Sequence, residues 1–219
     1  AGGTLTTTED CPSNVFATWN PLAKLHNGTY TFTNGNTTCE ANVRRGMHST
    51  LGASSGKFYW ETKLISNNNT NNNATGISAK HSTGGNDGTG EAAEEYVYKS
   101  DGEKTSGNSN SSYANTYTNG DIIGVAMDLD NNKLYFSKNG TFQNSGDPTR
   151  GATGTGAAYS SLHTDAAAPD GLTPCLGQYG GDQITSWNFG SPSYSISSGN
   201  ADANGYGNFE YAVPSGYYA

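Results

Sequence analysis

The sequence predicts an all-β protein, an antiparallel sandwich or jelly roll. Three observations predict it. Many short strand-like runs follow one another without intervening helices, the spacers are dense in Gly, Asn, Ser and Thr, and residues 120–140 form a hairpin pattern. No amphipathic helical periodicity extends beyond one turn at Glu91 to Glu95, and no solenoid or propeller repeat is present.

In chain order, strands are expected at Thr29–Thr33, Phe58–Ile65, Thr75–Ala79, Glu95–Lys99, Asp121–Leu129, Lys133–Ser137, Leu172–Gln178 and Gln183–Phe189. These are the runs that combine β-branched or aromatic residues with flanking turn formers. The fifth and sixth carry the clearest signal. Ile123, Val125, Met127 and Leu129 share one face, and Gly124, Ala126 and Asp128 the other, which is the period-2 alternation of a half-buried strand. Asn131-Asn132 supplies residues that tolerate positive φ for a two-residue hairpin loop. The return strand places Leu134 and Phe136 on one face and Lys133, Tyr135 and Ser137 on the other, before Asn139-Gly140 turns the chain again. Loops are expected at Ser66–Asn73, His81–Gly90, Asp101–Tyr117 and Ser145–Asp170, where short polar side chains satisfy the backbone locally. The Asn-rich run within the first of them is an ordinary surface loop.

A length of 219 residues suits one large β domain spanning 1–219. Charged residues make up 14% of the chain, so solubility rests on amides and hydroxyls, a surface common on extracellular and virion proteins. The net charge of −8 argues against nucleic acid, because binding phosphates requires basic patches and the only basic doublet is Arg44-Arg45. No apolar run approaches the roughly 20 residues needed to span a bilayer, so no membrane insertion is expected. No secretory signal is visible, and the chain starts without Met, as a processed protein or an excerpt would. Cys11, Cys39 and Cys175 are three, not a disulfide framework. Either Cys11 pairs with Cys39 in an oxidising compartment or all three are buried thiols, the latter being favoured. No C-x-x-C pair is present to hold zinc, and no cofactor is implied.

Several motifs imitate active sites. Gly52-Ala53-Ser54-Ser55-Gly56 matches G-x-S-x-G, and with Lys57 it approaches a phosphate loop. Both devices require a following helix, and a strand follows here, so a turn is expected. Glu91, Glu94 and Glu95 suggest paired glycosidase carboxylates, yet their spacing does not keep one strand face, and solvated loop acids are expected. Asp128, Asp130 and Asn132 begin like an EF-hand loop but lack its Gly and its closing Glu. His26, His48, His81 and His163 show no metal-ligand spacing; His163-Thr164-Asp165 is at most a local polar pair. Sequons such as Asn110-Ser111-Ser112 and Asn139-Gly140-Thr141 arise readily in a chain this rich in Asn and Thr.

Aromatic content points elsewhere. Tyr96, Tyr98, Tyr113 and Tyr117 lie in or beside the loop before the central hairpin, interleaved with Asn108, Asn110 and Asn115. Tyrosines among small polar residues make adaptable contact surfaces, and their rings also stack on sugars. The same tyrosines could equally belong to the core or rim of the sandwich.

Four ordered segments carry a family resemblance. Gly56-Lys57-Phe58-Tyr59-Trp60-Glu61, Gly76-Ile77-Ser78, the hairpin Gly120–Gly140 and Trp187-Asn188-Phe189-Gly190 together resemble the SPRY (B30.2-like) domain over about 51–190. The flanks, Asp10 to Leu22 and Tyr211 to Ala219, resemble segments that bracket such domains in bacteriophage and environmental viral structural proteins. The resemblance implies a concanavalin-like jelly roll that binds without catalysis, through loops at one edge. It implies no catalytic and no metal-ligating residue. By that analogy the candidate ligand surface comprises Tyr96, Tyr98, Asn108, Tyr113, Asn115, Tyr117 and His163.

The expected function is a non-enzymatic virion module, in a tail fibre or outer capsid, located on the virion surface or extracellularly. It would contact neighbouring virion subunits or a host surface glycan or protein, as a homo-oligomer within a larger assembly. Two alternatives stand beside it: a carbohydrate-active jelly-roll enzyme, and a purely structural self-assembling domain.

Overall fold

The computed structural model describes residues 15–24, 30–41, 45–68, 73–79, 93–162, 171–178 and 183–219. Among these described residues, fourteen strands follow in chain order. They are β1 (Trp19–Lys24), β2 (Tyr30–Thr33), β3 (Thr38–Ala41), β4 (Arg45–Ser49), β5 (Lys57–Asn67), β6 (Asn73–Ala79) and β7 (Glu95–Lys99). Next come β8 (Glu103–Ser106), β9 (Ser109–Ser112), β10 (Ile122–Asp128), β11 (Lys133–Lys138), β12 (Thr141–Phe142), β13 (Leu172–Gln178) and β14 (Gln183–Asn188). Two seven-stranded sheets result, ordered β1-β4-β13-β6-β7-β8-β9 and β12-β11-β10-β5-β14-β3-β2, with antiparallel pairing throughout.

Alternation along each strand builds the core between the sheets. β5 turns Trp60 and Leu64 inward, where they meet Val125 and Met127 of β10, Leu134 and Phe136 of β11, and Trp187 of β14. The facing sheet contributes Trp19, Met47, Ile77, Tyr96, Tyr98, Leu172 and Leu176. Polar contacts cross this layer between β5 and β6, Thr62 Oγ1 to Thr75 Oγ1 at 3.0 Å, and between β6 and β14, where Asn73 Nδ2 donates to Thr185 Oγ1 at 3.0 Å and Gln183 Oε1 at 3.4 Å. Gly76 on β6 lies so close to β7 that a Cβ there would stand 2.0 Å from the Tyr96 carbonyl oxygen. The short strand Gly76-Ile77-Ser78 therefore needs its glycine for sheet closure.

The central hairpin pairs as expected in its strands, Val125 with Phe136 and Met127 with Leu134. Its turn differs. Asp128 pairs with Lys133, so the loop is the four residues 129–132, of which Asn132 alone has positive φ, at 55°. A two-residue Asn131-Asn132 turn would leave Asp128 unable to do what it does. Its buried carboxylate accepts the Asn131 backbone N–H at 3.0 Å and its side-chain N–H at 2.9 Å, and pairs with Lys57 at 3.0 Å. Asp130 reaches across to the Gly56 N–H at 2.8 Å, tying the hairpin to the start of β5.

β10 is also not half-buried; every residue of it is buried. Residues 190–219 cover its second face, where Phe209 and Tyr217 pack on Tyr59, Ala126 and Tyr135. This segment carries no strand or helix of its own, so alternation within β10 could not announce it. Further differences concern the loops. Residues 101–117 contain the hairpin β8–β9, whose Gly107-Asn108 turn has φ of 55° and 60°, the signature of a type I′ turn. The loop after residue 145 contains a short 3₁₀ turn, Pro148–Arg150, started by the Asp147 side chain accepting the Thr149 N–H. At G-x-S-x-G, Ala53 bridges to Leu172 and the chain bends directly into β5, so no nucleophile elbow forms. Of the three acids, Glu91 lies outside the described residues, Glu94 is half-buried, and Glu95 is fully buried on β7 rather than solvated. Cys39 and Cys175 are buried; Cys11, and with it the proposed Cys11–Cys39 pair, lies outside the described residues.

Candidate functional site

At the β8–β9 edge, a short hairpin, the crossing segment 113–120 and the loop 143–162 form one surface. Polar contacts hold these pieces together. The Asn115 backbone N–H and side-chain N–H both donate to Gln143 Oε1, at 3.3 and 3.0 Å. Lys104 Nζ donates to the Ala158 carbonyl at 2.5 Å and lies over the rings of Tyr159 (5.1 Å) and Tyr113 (5.8 Å). Burial lowers the Lys104 pKa, and the carbonyl and the two ring faces stand in for lost water. Tyr159 Oη lies 2.9 Å from the carbonyl oxygens of both Val97 and Thr105, which share its one proton, and Lys138 Nζ donates to the Thr116 carbonyl at 2.8 Å.

Over this rigid base the exposed residues are almost all uncharged. Gly107, Asn108 and the whole of β9 are exposed, as are Asn115, Thr116, Asn144, Ser145, Thr153 and Thr155. The exposed Arg150 is paired with Asp147 at 3.1 Å. Such a surface has little power to attract ions, and it presents a dense set of neutral donors and acceptors together with the outer edge of β9.

The sequence-predicted ligand residues divide. Asn108 and Asn115 are exposed on this surface, and Tyr113 lies beneath it, half-buried against Tyr98 and Phe136. Tyr96, Tyr98 and Tyr117 are corrected to core residues, with exposures of 4%, 0% and 1%. Rings so enclosed offer no face to a ligand. Their hydroxyls serve the interior: Tyr117 OH donates to the Asn73 carbonyl at 2.9 Å, and Tyr98 OH donates to the Asn115 carbonyl. Burial raises the pKa of both phenols, so they act as neutral donors. His163 lies outside the described residues.

Sequence reasoning missed Glu61 of β5. This carboxylate is fully buried on the outer face of its sheet, beneath the C-terminal segment. It accepts the backbone N–H groups of Tyr211 (2.8 Å) and Glu210 (3.0 Å), and the Asn188 amide and the Tyr194 and Tyr59 hydroxyls at 3.3 Å. Burial outweighs these donors and raises its pKa. Room for the cluster comes from Gly124, the register partner of Glu61, where a Cβ would stand 2.6 Å from Tyr59 Oη. The roles fit a structural clamp, since every oxygen of Glu61 is committed to donors within the fold. Among the described residues no group of three or more His, Cys, Asp or Glu could hold a metal ion, and no helix is long and apolar enough to cross a membrane.

A family model described as the SPRY domain matches residues 57–190. Solved structures also match, among them the crystal structure of the SPRY domain of human HERC1. That likeness has a TM-score of 0.60 at 18% identity and covers 81% of this chain and 99% of that one. At this identity it establishes the fold. A comparison with curated proteins finds no match.

Proposed function

The chain belongs to the SPRY domain family, and from that membership we propose a non-enzymatic protein–protein interaction module that binds through the neutral surface around β8–β9. SPRY domains are generally interaction modules. The observation that carries the choice of surface is its construction: exposed amides and hydroxyls stand on a base fixed by Lys104, Gln143 and Tyr159. Preorganised loops lose less entropy on binding, so a surface without charge can still be selective. An enzymatic role has less support. Of the three fully buried carboxylates among the described residues, Glu61 is saturated by donors, Asp128 is paired with Lys57, and Glu95 stands on the other sheet from both.

The test is a peptide array and a glycan array read with the purified protein and with Ser111→Arg and Thr116→Arg, both at exposed positions. Selective peptide binding lost in both variants supports the proposal. Glycan binding alone, or peptide binding that both variants retain, overturns it.

We place the module on a virion surface, in an oligomeric assembly. This rests on the resemblance of residues 10–22 and 211–219 to flanks of viral structural SPRY domains and on the charge-poor surface. Immunogold labelling of purified particles tests it, and particles that carry no label refute it.

A further inference from the structure

At one end of the sandwich, where Phe58 of β5 pairs with Met127 of β10, the seam between the sheets opens into a cleft of about 210 Å³. Its lining side chains are mostly apolar. Phe58, Trp60, Met127, Pro174 and Phe189 are among the residues that form it, and no charged or amide side chain is among them. The rim is apolar too: Val15 and Leu51 line the cleft and are 69% and 50% exposed. Large hydrophobic side chains left this open beside an apolar hollow mark a binding site more often than a defect.

Size and chemistry narrow the occupant. Cavities that hold cofactors or drug-sized ligands run from about 300 to 1,000 Å³, whereas about 150 Å³ already accepts benzene. A volume near 210 Å³ therefore suits one ring with a short substituent. The aromatic members of the wall favour a second ring set edge-to-face or offset against them, and Met127 adds a polarizable thioether. The lining side chains include no carboxylate or amide to meet sugar hydroxyls and no charged group to meet an ion. None of these lining residues belongs to the β8–β9 surface, so the cleft is a separate feature.

We propose that this cleft is a binding site for a single uncharged aromatic ring. The occupant is a free small molecule, whose single ring the volume accommodates whole, and a phenylalanine-type side chain is the alternative that the experiment separates from it. Trp60 serves as reporter, because its indole N–H has no hydrogen-bond partner in the fold and its ring forms part of the wall.

The measurement is a protein-observed NMR titration following the Trp60 indole N–H signal, with phenol, benzoate, N-acetyl-phenylalaninamide and N-acetyl-glycinamide as probes. Phenol and N-acetyl-phenylalaninamide are expected to shift it saturably. Benzoate and the glycine compound should bind about tenfold or more weakly, the factor expected for burying a charge or for lacking the ring. Tighter binding of phenol supports the small-molecule site, and tighter binding of the acetylated amide overturns it in favour of a side-chain site. Leu51→Glu, at the exposed rim, should weaken either probe about tenfold, while Leu22→Glu, at a 94% exposed position outside the lining, should not. A Trp60 signal that no aromatic probe moves, equal binding of benzoate, or equal effects of the two variants overturns the proposal. Ser111→Arg and Thr116→Arg should leave the titration unchanged, so failure here is distinct from failure of the β8–β9 surface.

Discussion

Replacing Glu61 should loosen the C-terminal segment while sparing the sandwich beneath it. In Glu61→Ala, the backbone N–H groups of Glu210 and Tyr211 lose a charged acceptor at 3.0 and 2.8 Å. Each charge-assisted bond contributes about 1.5–3 kcal/mol. Against this stands the cost of keeping a carboxylate out of water, the same cost that raises its pKa. A net loss of about 2–4 kcal/mol follows, or about 4–16 °C in Tm for a chain of this size. Glu61→Gln keeps one acceptor and sheds the charge, so it should cost about half as much. The pH dependence distinguishes this account from simple packing loss. The folded pKa of Glu61 is raised from 4.5, so between that value and the raised one the folded protein holds more protons than the unfolded chain. Stability from this group is therefore fullest on the acid side and is lost as pH rises through the folded pKa. Glu61→Gln should erase that slope. Urea denaturation across mildly acidic to neutral pH measures both effects, and amide exchange should show lost protection in residues 209–219. Unchanged protection with a loss below about 0.5 kcal/mol in Glu61→Ala would refute the clamp.

Other expectations follow from single contacts. Gly76→Ala puts a Cβ 2.0 Å from the Tyr96 carbonyl oxygen, and the β6–β7 pair must separate; a loss of about 3 kcal/mol is expected by thermal melting. Asp128→Ala strands Lys57 and opens the 129–132 loop, costing about 3 kcal/mol by urea denaturation; the partial exposure of Lys57 keeps it from costing more. Cys175 is fully buried and its thiol pKa is pushed well up, so it should resist a thiol reagent in the folded protein and react once the chain unfolds. Mass spectrometry of labelled peptides checks this, and rapid native labelling contradicts it.

Legibility in the sequence tracked how much each strand owes to its own residues. All eight strands expected from β-branched and aromatic runs exist, most of them within two residues of the expected ends. Six others were missed, and they share a cause. β1 contains Pro21, β8 and β9 are Glu103-Lys104-Thr105-Ser106 and Ser109-Asn110-Ser111-Ser112, and β12 has two residues. β3 and β4 likewise lack a long apolar alternation. Such segments become strands because a neighbouring edge offers them hydrogen bonds, and that is a tertiary effect. The tyrosines failed for a related reason. Tyr117 sits among Asn and Thr as a surface residue would, but its ring fills the core and its hydroxyl finds the Asn73 carbonyl. The pattern along the chain is the same in either environment.

The motif residues that revealed the family turn out to be occupied with the fold itself. Asp128 and Asp130 close the hairpin onto β5, Gly76 lets two strands meet, and Asn188 joins Glu61 in holding the C-terminal segment. Each spends its polar atoms, or its lack of a side chain, on a neighbour in the same chain. Residues committed in this way have no capacity left to discriminate among partners. On the reading proposed above, choice of partner falls to positions the fold leaves unspent, among them the exposed amides and hydroxyls around β8–β9, whose conformation is set by Lys104 and Gln143 from below. Substitution there should alter binding with little effect on stability, whereas substitution at the motif residues should do the reverse.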